Sequence, residues 1–219
     1  MKAMAEAPVQ QEKKNSSDNC LLSPSTAADK KHLRKKITAY RDSISDETRT
    51  VKDQSIAARL YEVKAFSENR ATLFYAAFRS EVRTEHLIRQ SLSDNRITSL
   101  PRVDKTNELL RLYQIGNWSE LAPGSWGILE PDEDKTKEIG IDDIDIVLAP
   151  GVAFDENCNR LGYGKGYYDK LLCSKKGLKP LVIGLAYEEQ IVDALPCYPH
   201  DIKMDMIITD KRIITCHEP

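Results

Sequence analysis

One short segment in the second half of the chain constrains the fold more than any other. Residues 144–149 are apolar apart from Asp145, and Pro150-Gly151 ends the run. Successive side chains of a strand point to opposite faces of the sheet, so an apolar run predicts a strand that is buried on both faces. Helices must then cover both sides of a mostly parallel sheet.

The remaining pattern agrees with a single α/β layered domain. A period of three to four residues predicts helices over 27–43, 46–64, 84–92 and 167–175, and Ser45 is the expected N-cap of the second. Short apolar runs predict strands over 71–77, 97–100, 109–115, 181–185 and 206–209, with Pro101 ending the 97–100 strand. Ligands of such sheets bind at the carboxyl ends of the strands.

Composition restricts the classes of partner. The net charge is −2 and the sequence pI is about 6.1, so no global basic field indicates nucleic acid, and no apolar run is long enough for a membrane span. The five cysteines are scattered without a C-x-x-C pair, which favours free thiols in a reducing compartment. We therefore expect a cytoplasmic monomer that contacts neither nucleic acid nor membrane, with import into an organelle as the alternative location.

The first 26 residues differ from the rest. They are polar, mixed in charge and without periodicity, and their acidic residues argue against a transit peptide. We expect a disordered tail over 1–26 and one catalytic domain over 27–219.

The main candidate for chemistry is a run of three alternating glycines, a lysine, two tyrosines and an aspartate. It reads Arg160-Leu161-Gly162-Tyr163-Gly164-Lys165-Gly166-Tyr167-Tyr168-Asp169. Glycines let backbone N–H groups approach an anion, the cations bind phosphate, and a carboxylate can hold a divalent metal beside it. The spacing matches neither dinucleotide fingerprint, so the alternatives are a phosphate site and a tight strand-to-helix turn.

Other segments supply weaker candidates. Lys30, Arg34 and Arg41 share one flank of the first predicted helix, where a basic row either borders a cleft or faces solvent. Glu81 lies between a predicted strand and helix, a position suited to a ligand-facing carboxylate. Trp126 lies in a glycine-bracketed turn and either packs in the core or stacks on a flat ligand.

With these residues, the chain resembles the 5-formyltetrahydrofolate cyclo-ligase family, also called methenyltetrahydrofolate synthetases. The resemblance rests on residues 148–155 and 160–169, and it extends in order through Lys30 and Arg34, 81–85, 100–102, 126–131 and 201–205. It implies a three-layer α/β/α sandwich with a Rossmann-like sheet. The implied reaction is ATP-dependent, Mg²⁺-requiring cyclisation of 5-formyltetrahydrofolate to 5,10-methenyltetrahydrofolate with release of ADP and phosphate.

The resemblance also implies roles for residues. Lys165 and Arg160 are the expected catalytic residues, and the magnesium-linked carboxylates are Asp169 and Asp205. The expected ATP contacts are Lys30, Arg34, Arg160, Leu161, Gly162, Tyr163, Gly164, Lys165, Gly166, Tyr167 and Tyr168. The expected folate contacts are Glu81, Trp126, Tyr163, Gly164, Lys165, Gly166 and Tyr167. Tyr163 departs from the arginine that is frequent at this position of the family.

Two other classes of function remain alternatives. A sugar-phosphate isomerase or CoA-transferase-like enzyme would bind phosphate without consuming ATP. A folate- or nucleotide-binding module would keep the site without turnover, and the joint presence of Lys30, Arg34, Lys165 and Asp169 argues against it.

Overall fold

The computed structural model describes residues 27–174, 180–196 and 201–216. The predicted tail over 1–26 lies outside these residues. The helices are α1 (Ala27–Asp42), α2 (Asp46–Glu62), α3 (Lys64–Ser67), α4 (Glu85–Ser93) and α5 (Tyr167–Cys173). The strands are β1 (Ala71–Leu73), β2 (Ile97–Asp104), β3 (Leu109–Ile115), β4 (Leu121–Pro123), β5 (Leu129–Pro131), β6 (Lys137–Ile139), β7 (Ile146–Ala149), β8 (Ala153–Asp155), β9 (Arg160–Leu161), β10 (Leu181–Leu185), β11 (Ile191–Val192), β12 (Met206–Ile208) and β13 (Ile213–Thr215).

An eight-stranded sheet forms the centre of the molecule, in the order β13-β12-β10-β7-β1-β2-β3-β6. The five strands from β12 to β2 are parallel, and antiparallel strands complete both edges. The chain passes from β1 to β2 in one direction and from β7 through β10 to β12 in the other. The sheet therefore has its topological switch point between β1 and β7, where ligand crevices form in open α/β sheets.

Strand β7 explains why the sheet is covered on both faces. Ile146 and Leu148 belong to the apolar cluster that packs α2, α3 and α4, whereas Val147 and Ala149 belong to the cluster that packs α5. All four side chains are buried. The predicted layered α/β fold with a mostly parallel sheet is thus confirmed. Asp145 immediately precedes β7, and its carboxylate accepts hydrogen bonds from the backbone N–H groups of Arg70 and Ala71.

Helix α1 packs away from the main sheet. Ile37 of α1 contacts a small cluster with Val152, Ala153 and Leu161, residues of the three-stranded sheet β11-β8-β9 and its approach. This contact leaves α1 beside the loop that follows β9. The polar flank of α1 therefore lies next to the glycine run.

Two predicted strand bounds were wrong, namely the end of β1 and the end of β2. Strand β1 ends at Leu73, which pairs with Ser99 of β2; the N–H of Phe74 still donates to the carbonyl of Ser99 at 2.8 Å, and residues 75–77 leave the ladder although they remain buried or half-buried. Pro101 does not end β2, because it lies beyond the last residue of β2 that pairs with β1. The missing N–H of Pro101 therefore breaks no bond on that side, while Leu112 of β3 pairs with it on the other.

The expectation of free thiols was wrong for two cysteines. Cys158, in the turn between β8 and β9, forms a disulfide with Cys216 just after β13, and their Cα atoms are 5.9 Å apart. This distance suits a disulfide, and a sequence separation of 58 residues made the pair invisible to spacing rules. Cys173 is free and exposed, and the other two cysteines lie outside the described residues.

Candidate active site

A cavity of about 890 Å³ opens at the carboxyl ends of β1 and β7, at the switch point of the sheet. Tyr75 and Ala76 line it from the segment after β1, and Pro150 lines it from the segment after β7. Every residue expected in the site except Asp205 also lines it. These residues are Lys30, Arg34, Glu81, Trp126 and the ten residues of the glycine run, Arg160 to Asp169.

The glycine run crosses the mouth of this cavity in a conformation that needs glycine at two positions. Gly164 has a φ of 99° and Gly166, the N-cap of α5, has a φ of 67°. Both values lie in the left-handed region, which side chains with a Cβ rarely adopt. Arg34 fixes the start of the run, since its Nε donates to the carbonyl of Gly162 at 2.8 Å. The loop is therefore pinned to α1.

The four expected cations that line the cavity differ in how they are held. Arg160 is nearly buried, with a side chain 6% exposed, and donates from Nη2 to Asp169 Oδ1 at 3.0 Å. Lys30 forms an ion pair of 3.3 Å with Asp201. Lys165 is exposed at the middle of the loop. Burial lowers the pKa of Arg34, because it disfavours the charged guanidinium.

The structure does not bring the two expected carboxylates, Asp169 and Asp205, together. Asp169 lines the cavity, and Asp201 lines it too. Asp205 immediately precedes β12, and its Oδ2 accepts a hydrogen bond of 2.8 Å from the N–H of Val182 near the start of β10. Both strands begin at the edge of the sheet opposite the cavity, so Asp205 cannot share a ligand with Asp169. Asp201 lies only four residues before Asp205 in the chain, yet it lines the cavity and Asp205 does not.

The folate-side candidate Glu81 is buried, with 4% of its surface exposed. Its Oε2 accepts a hydrogen bond of 2.8 Å from the N–H of Phe78. Burial raises the pKa of Glu81 to about 7, and the Phe78 N–H, the charge of Arg41 and the Tyr163 hydroxyl oppose that rise. A carboxylate in this position is available to a ligand with N–H donors.

Aromatic and apolar side chains also line the cavity. Trp126 is 57% exposed and has a φ of 57°, so the turn presents its ring at the mouth of the cavity instead of packing it in the core. The buried hydroxyl of Tyr168 has no hydrogen-bond partner among the described residues, and its ring lies under the Arg160 guanidinium at 5.6 Å. Val103, Leu110 and Ile128 line the cavity as well.

Sequence reasoning placed Arg41 beside the cleft but gave it no role in the site. Arg41 is 1% exposed, and its three nitrogens contact Ser80, Gly151 and Tyr163. A signal existed, because Arg41 shares the flank of α1 with Lys30 and Arg34. Phe78 and Arg79, which also line the cavity, carry no comparable sequence signal.

A second cavity, of about 750 Å³, contains none of the expected site residues. Its arginines are paired with carboxylates, Arg102 with Glu133 at 2.9 Å and Arg111 with Glu138 at 3.3 Å. Within residues 27–174, 180–196 and 201–216, no three His, Cys, Asp or Glu side chains cluster in a way that could hold a metal alone. In the same residues, every helix is too short or too polar to cross a membrane.

Comparison with known proteins agrees with this site. The model of the 5-formyltetrahydrofolate cyclo-ligase family matches residues 26–210. A mouse 5-formyltetrahydrofolate cyclo-ligase is 27% identical over 187 residues, covering 82% of this chain and 92% of the mouse protein.

Two solved structures share the fold. The 5,10-methenyltetrahydrofolate synthetase of Aquifex aeolicus is 32% identical, with a TM-score of 0.77 over 87% of this chain and 94% of that one. The synthetase of Mycoplasma pneumoniae is 26% identical, with a TM-score of 0.67 over 83% of this chain and 99% of that one. The family model spans the helix that carries Lys30, the Glu81 segment and the glycine run, so the chain belongs to the 5-formyltetrahydrofolate cyclo-ligase family.

Proposed function

We propose that this enzyme converts 5-formyltetrahydrofolate and ATP into 5,10-methenyltetrahydrofolate, ADP and phosphate. The observation that carries the proposal is the composition of one cavity. Cations from α1 and from the glycine loop line one side of it, and the buried carboxylate of Glu81 lies in the same space. The first set suits a triphosphate and the second suits the N–H donors of a reduced pterin.

The reaction requires activation of a poor leaving group. The formyl oxygen attacks the γ-phosphorus of ATP, the bond to the bridging oxygen breaks, and ADP leaves. The product of this step is an iminium phosphate on N5. N10 then attacks the formyl carbon and loses its proton, and phosphate departs as the second carbon–nitrogen bond is completed. Phosphoryl transfer of this kind depends on positioning and charge neutralisation more than on a protein nucleophile.

The cationic residues of the site differ in how rigidly the protein holds them, and we propose different roles for them on this basis. Arg34 and Arg160 are bonded to the loop and to Asp169, and we infer that they fix the cradle in which the phosphates lie. Lys165 is exposed and unencumbered by any described neighbour, so it can follow the transferring phosphoryl group. We propose Lys165 as the residue whose charge is most important in the transition state.

The donor set fits a magnesium ion. Mg²⁺ is typically bound by one or two carboxylates together with substrate phosphates and water, and does not require a protein-only cage. Asp169 and Asp201 present hard oxygen ligands at the cavity, each beside a cation that also faces the phosphates. We propose these two residues as the magnesium-linked carboxylates. When bound, the ion would neutralise charge on the phosphate oxygens.

The folate side is proposed on geometry. Glu81 would accept hydrogen bonds from the pterin ring, and Trp126 would cover the ring or its benzoyl extension from the cavity mouth. Tyr163 of the loop and Tyr167 at the start of α5 would lie between the two ligands and contact both. This arrangement brings the formyl group toward Lys165.

Product formation tests the function against both alternatives. Purified protein is mixed with 5-formyltetrahydrofolate and MgATP, and absorbance in the methenyl band and ADP are measured together. We expect one ADP for each methenyl product, and neither product when either substrate is omitted. ADP without folate turnover would favour another phosphate-dependent enzyme, and folate binding without any product would favour a module that lacks turnover.

Several features stay predictions. We propose a catalytic domain over 27–219 and a monomeric enzyme in the cytoplasm. The molar mass in solution by light scattering would test the monomer, and imaging of the tagged full-length chain would test the location.

A further inference from the structure

Arg41 is a charged side chain in the interior that touches three segments around the cavity. Its Nε donates to Ser80 Oγ at 3.0 Å, Nη1 to the carbonyl of Gly151 at 3.2 Å and Nη2 to the Tyr163 hydroxyl at 2.7 Å. A buried guanidinium is costly unless its donors are satisfied, and here each nitrogen has a partner. Ser80 passes its own hydrogen to Asp42, which supplies the balancing charge.

The Tyr163 hydroxyl links this arginine to the folate-side carboxylate. A phenol has one hydrogen to donate, and since its oxygen accepts from Arg41, that hydrogen is free for another acceptor. The Tyr163 hydroxyl interacts with Glu81 and lowers the pKa of its carboxyl group. The Tyr163 ring packs edge-on against Phe78 at 6.4 Å, and the N–H of Phe78 donates to the Glu81 carboxylate at 2.8 Å. The Phe78 N–H and the Tyr163 hydroxyl therefore act on the same carboxylate.

Several elements contribute groups that act on Glu81. Arg41 from α1 contributes the positive charge, and phenol groups come from the segments after β1 and β10, the glycine loop and α5. These phenols are Tyr75, Tyr187, Tyr163 and Tyr168.

We propose that Arg41 and Tyr163 are positioning residues that favour the ionised form of the Glu81 carboxylate and aim it at the paired N–H donors of the pterin ring. The inference rests on the proposed function, and it assigns a task to a residue outside the phosphate-binding set. An ionised carboxylate accepts two parallel hydrogen bonds from adjacent N–H groups, whereas the protonated acid loses one acceptor. Tyr163 can take the place of the arginine that is frequent at this position of the family, because Arg41 of α1 supplies the positive charge instead.

The inference predicts a specific change with pH. Glu81 must lose its proton to bind folate, and the Tyr163 hydroxyl lowers the pKa of Glu81 against the effect of burial. Removing the hydroxyl raises that pKa further. In Tyr163→Phe, the acid limb of the kcat/KM profile for 5-formyltetrahydrofolate should therefore move to higher pH by about one pH unit.

The experiment compares Tyr163→Phe with the parent and with Tyr40→Phe. Tyr40 lies next to Arg41 on α1 but is 50% exposed and does not line the cavity, so the same chemical change there should leave the profile unchanged. At pH 6 we expect KM for folate to rise roughly ten-fold in Tyr163→Phe, the size of effect that follows loss of a polar contact to a charged group, and KM for ATP to rise by a smaller factor, because the Tyr163 ring that would face ATP is retained. A Glu81→Gln background should abolish the difference between the parent and Tyr163→Phe profiles.

Two failures are distinguishable. A parent protein that makes no methenyl product overturns the proposed function and this inference with it. A parent that turns over, with the same acid limb in Tyr163→Phe or with equal rises in both KM values, overturns only the inference. Arg41→Lys provides a second variant, and should shift the acid limb in the same direction. If it does not fold, Tyr163→Phe decides alone.

Discussion

Lys165 differs from the other cations of the site because its surroundings in the described chain do not hold it. Arg34 and Arg160 each have a bonded partner at 3.0 Å or less, so their positions are set before any ligand arrives. An exposed lysine on a glycine loop loses more side-chain entropy when a ligand orders it. We therefore expect Lys165 to stabilise mainly the transition state, in which charge develops on the phosphoryl group.

Replacement of Lys165 should therefore affect the rate more than the fold. We expect Lys165→Ala to lower kcat by about 100-fold or more, the size of effect that follows loss of one charge-stabilising donor. The melting temperature should change by no more than that of Lys35→Ala, an exposed lysine of α1 that does not line the cavity. An unchanged kcat/KM for MgATP would remove Lys165 from the machinery.

Substitution can also distinguish the roles of the three carboxylates Asp169, Asp201 and Asp205. Asp169→Asn and Asp201→Asn should each move the magnesium titration of activity to higher concentration, because both residues line the cavity. Asp205→Asn should leave that titration unchanged and lower the melting temperature, since Asp205 bonds the backbone of Val182. The reverse pattern would restore Asp205 to the metal site.

Burial of Glu81 has a cost that depends on pH. The pKa of Glu81 is about 7 in the folded protein against 4.5 for a free side chain, so the folded chain binds more protons between these values. Stability therefore falls as the pH rises from about 4.5 to 7, by at most about 3 kcal/mol.

Glu81→Gln removes this titration. Urea unfolding of the ligand-free protein at pH 5 and pH 8 should show the variant gaining stability relative to the parent at the higher pH. A difference between the two proteins that is independent of pH would mean that Glu81 titrates normally.

Residue chemistry in the site was largely predictable from the sequence because one contiguous run supplies most of it. Glycine, lysine and aspartate within ten residues indicated a phosphate site before any fold was known. Asp205 was grouped with Asp169, and Arg41 was left without a role, for the same reason. The positions of both side chains depend on which edge of the sheet or which loop they contact. Strand pairing between distant parts of the chain determines those contacts.

At the scale of elements, periodic helices and long apolar strands were predicted well. The second helix begins where Ser45 can cap it, and the Ser45 hydroxyl does accept from the N–H of Thr48. Two- and three-residue strands such as β8, β9 and β11 were missed, because runs so short carry no period. They matter, since they bring α1 beside the glycine loop.

The disulfide is the element-scale feature with the largest expected effect on stability. It joins the turn before Arg160 to the segment after β13, across 58 residues. Closing a loop of that size in the unfolded chain is expected to stabilise the native protein by about 4 kcal/mol in the chain-entropy treatment.

Cys216→Ser should lower the free energy of unfolding by about 2–4 kcal/mol under oxidising conditions. With dithiothreitol present, the parent should fall to the value of the variant. Equal stability of the two proteins without reductant would mean that the thiols are not paired in solution.

At the scale of the whole molecule, the order of the strands creates the site. Because β1 and β7 are neighbours whose connections leave in opposite directions, their carboxyl ends cannot both be covered by crossover segments. The sequence indicated a parallel sheet but not its order, which depends on long-range pairing. The 148–169 segment and the Glu81 segment lie far apart in the chain and meet only through that order.

The central claim is that ATP and the formyl oxygen meet in this cavity. Enzyme, MgATP and 5-formyltetrahydrofolate labelled with ¹⁸O in the formyl group are allowed to react, and the phosphate released is analysed by mass spectrometry. Direct phosphorylation of the formyl oxygen predicts that the label is transferred to inorganic phosphate, one atom for each methenyl product. Phosphate without the label, with ¹⁸O released to water, would contradict the account.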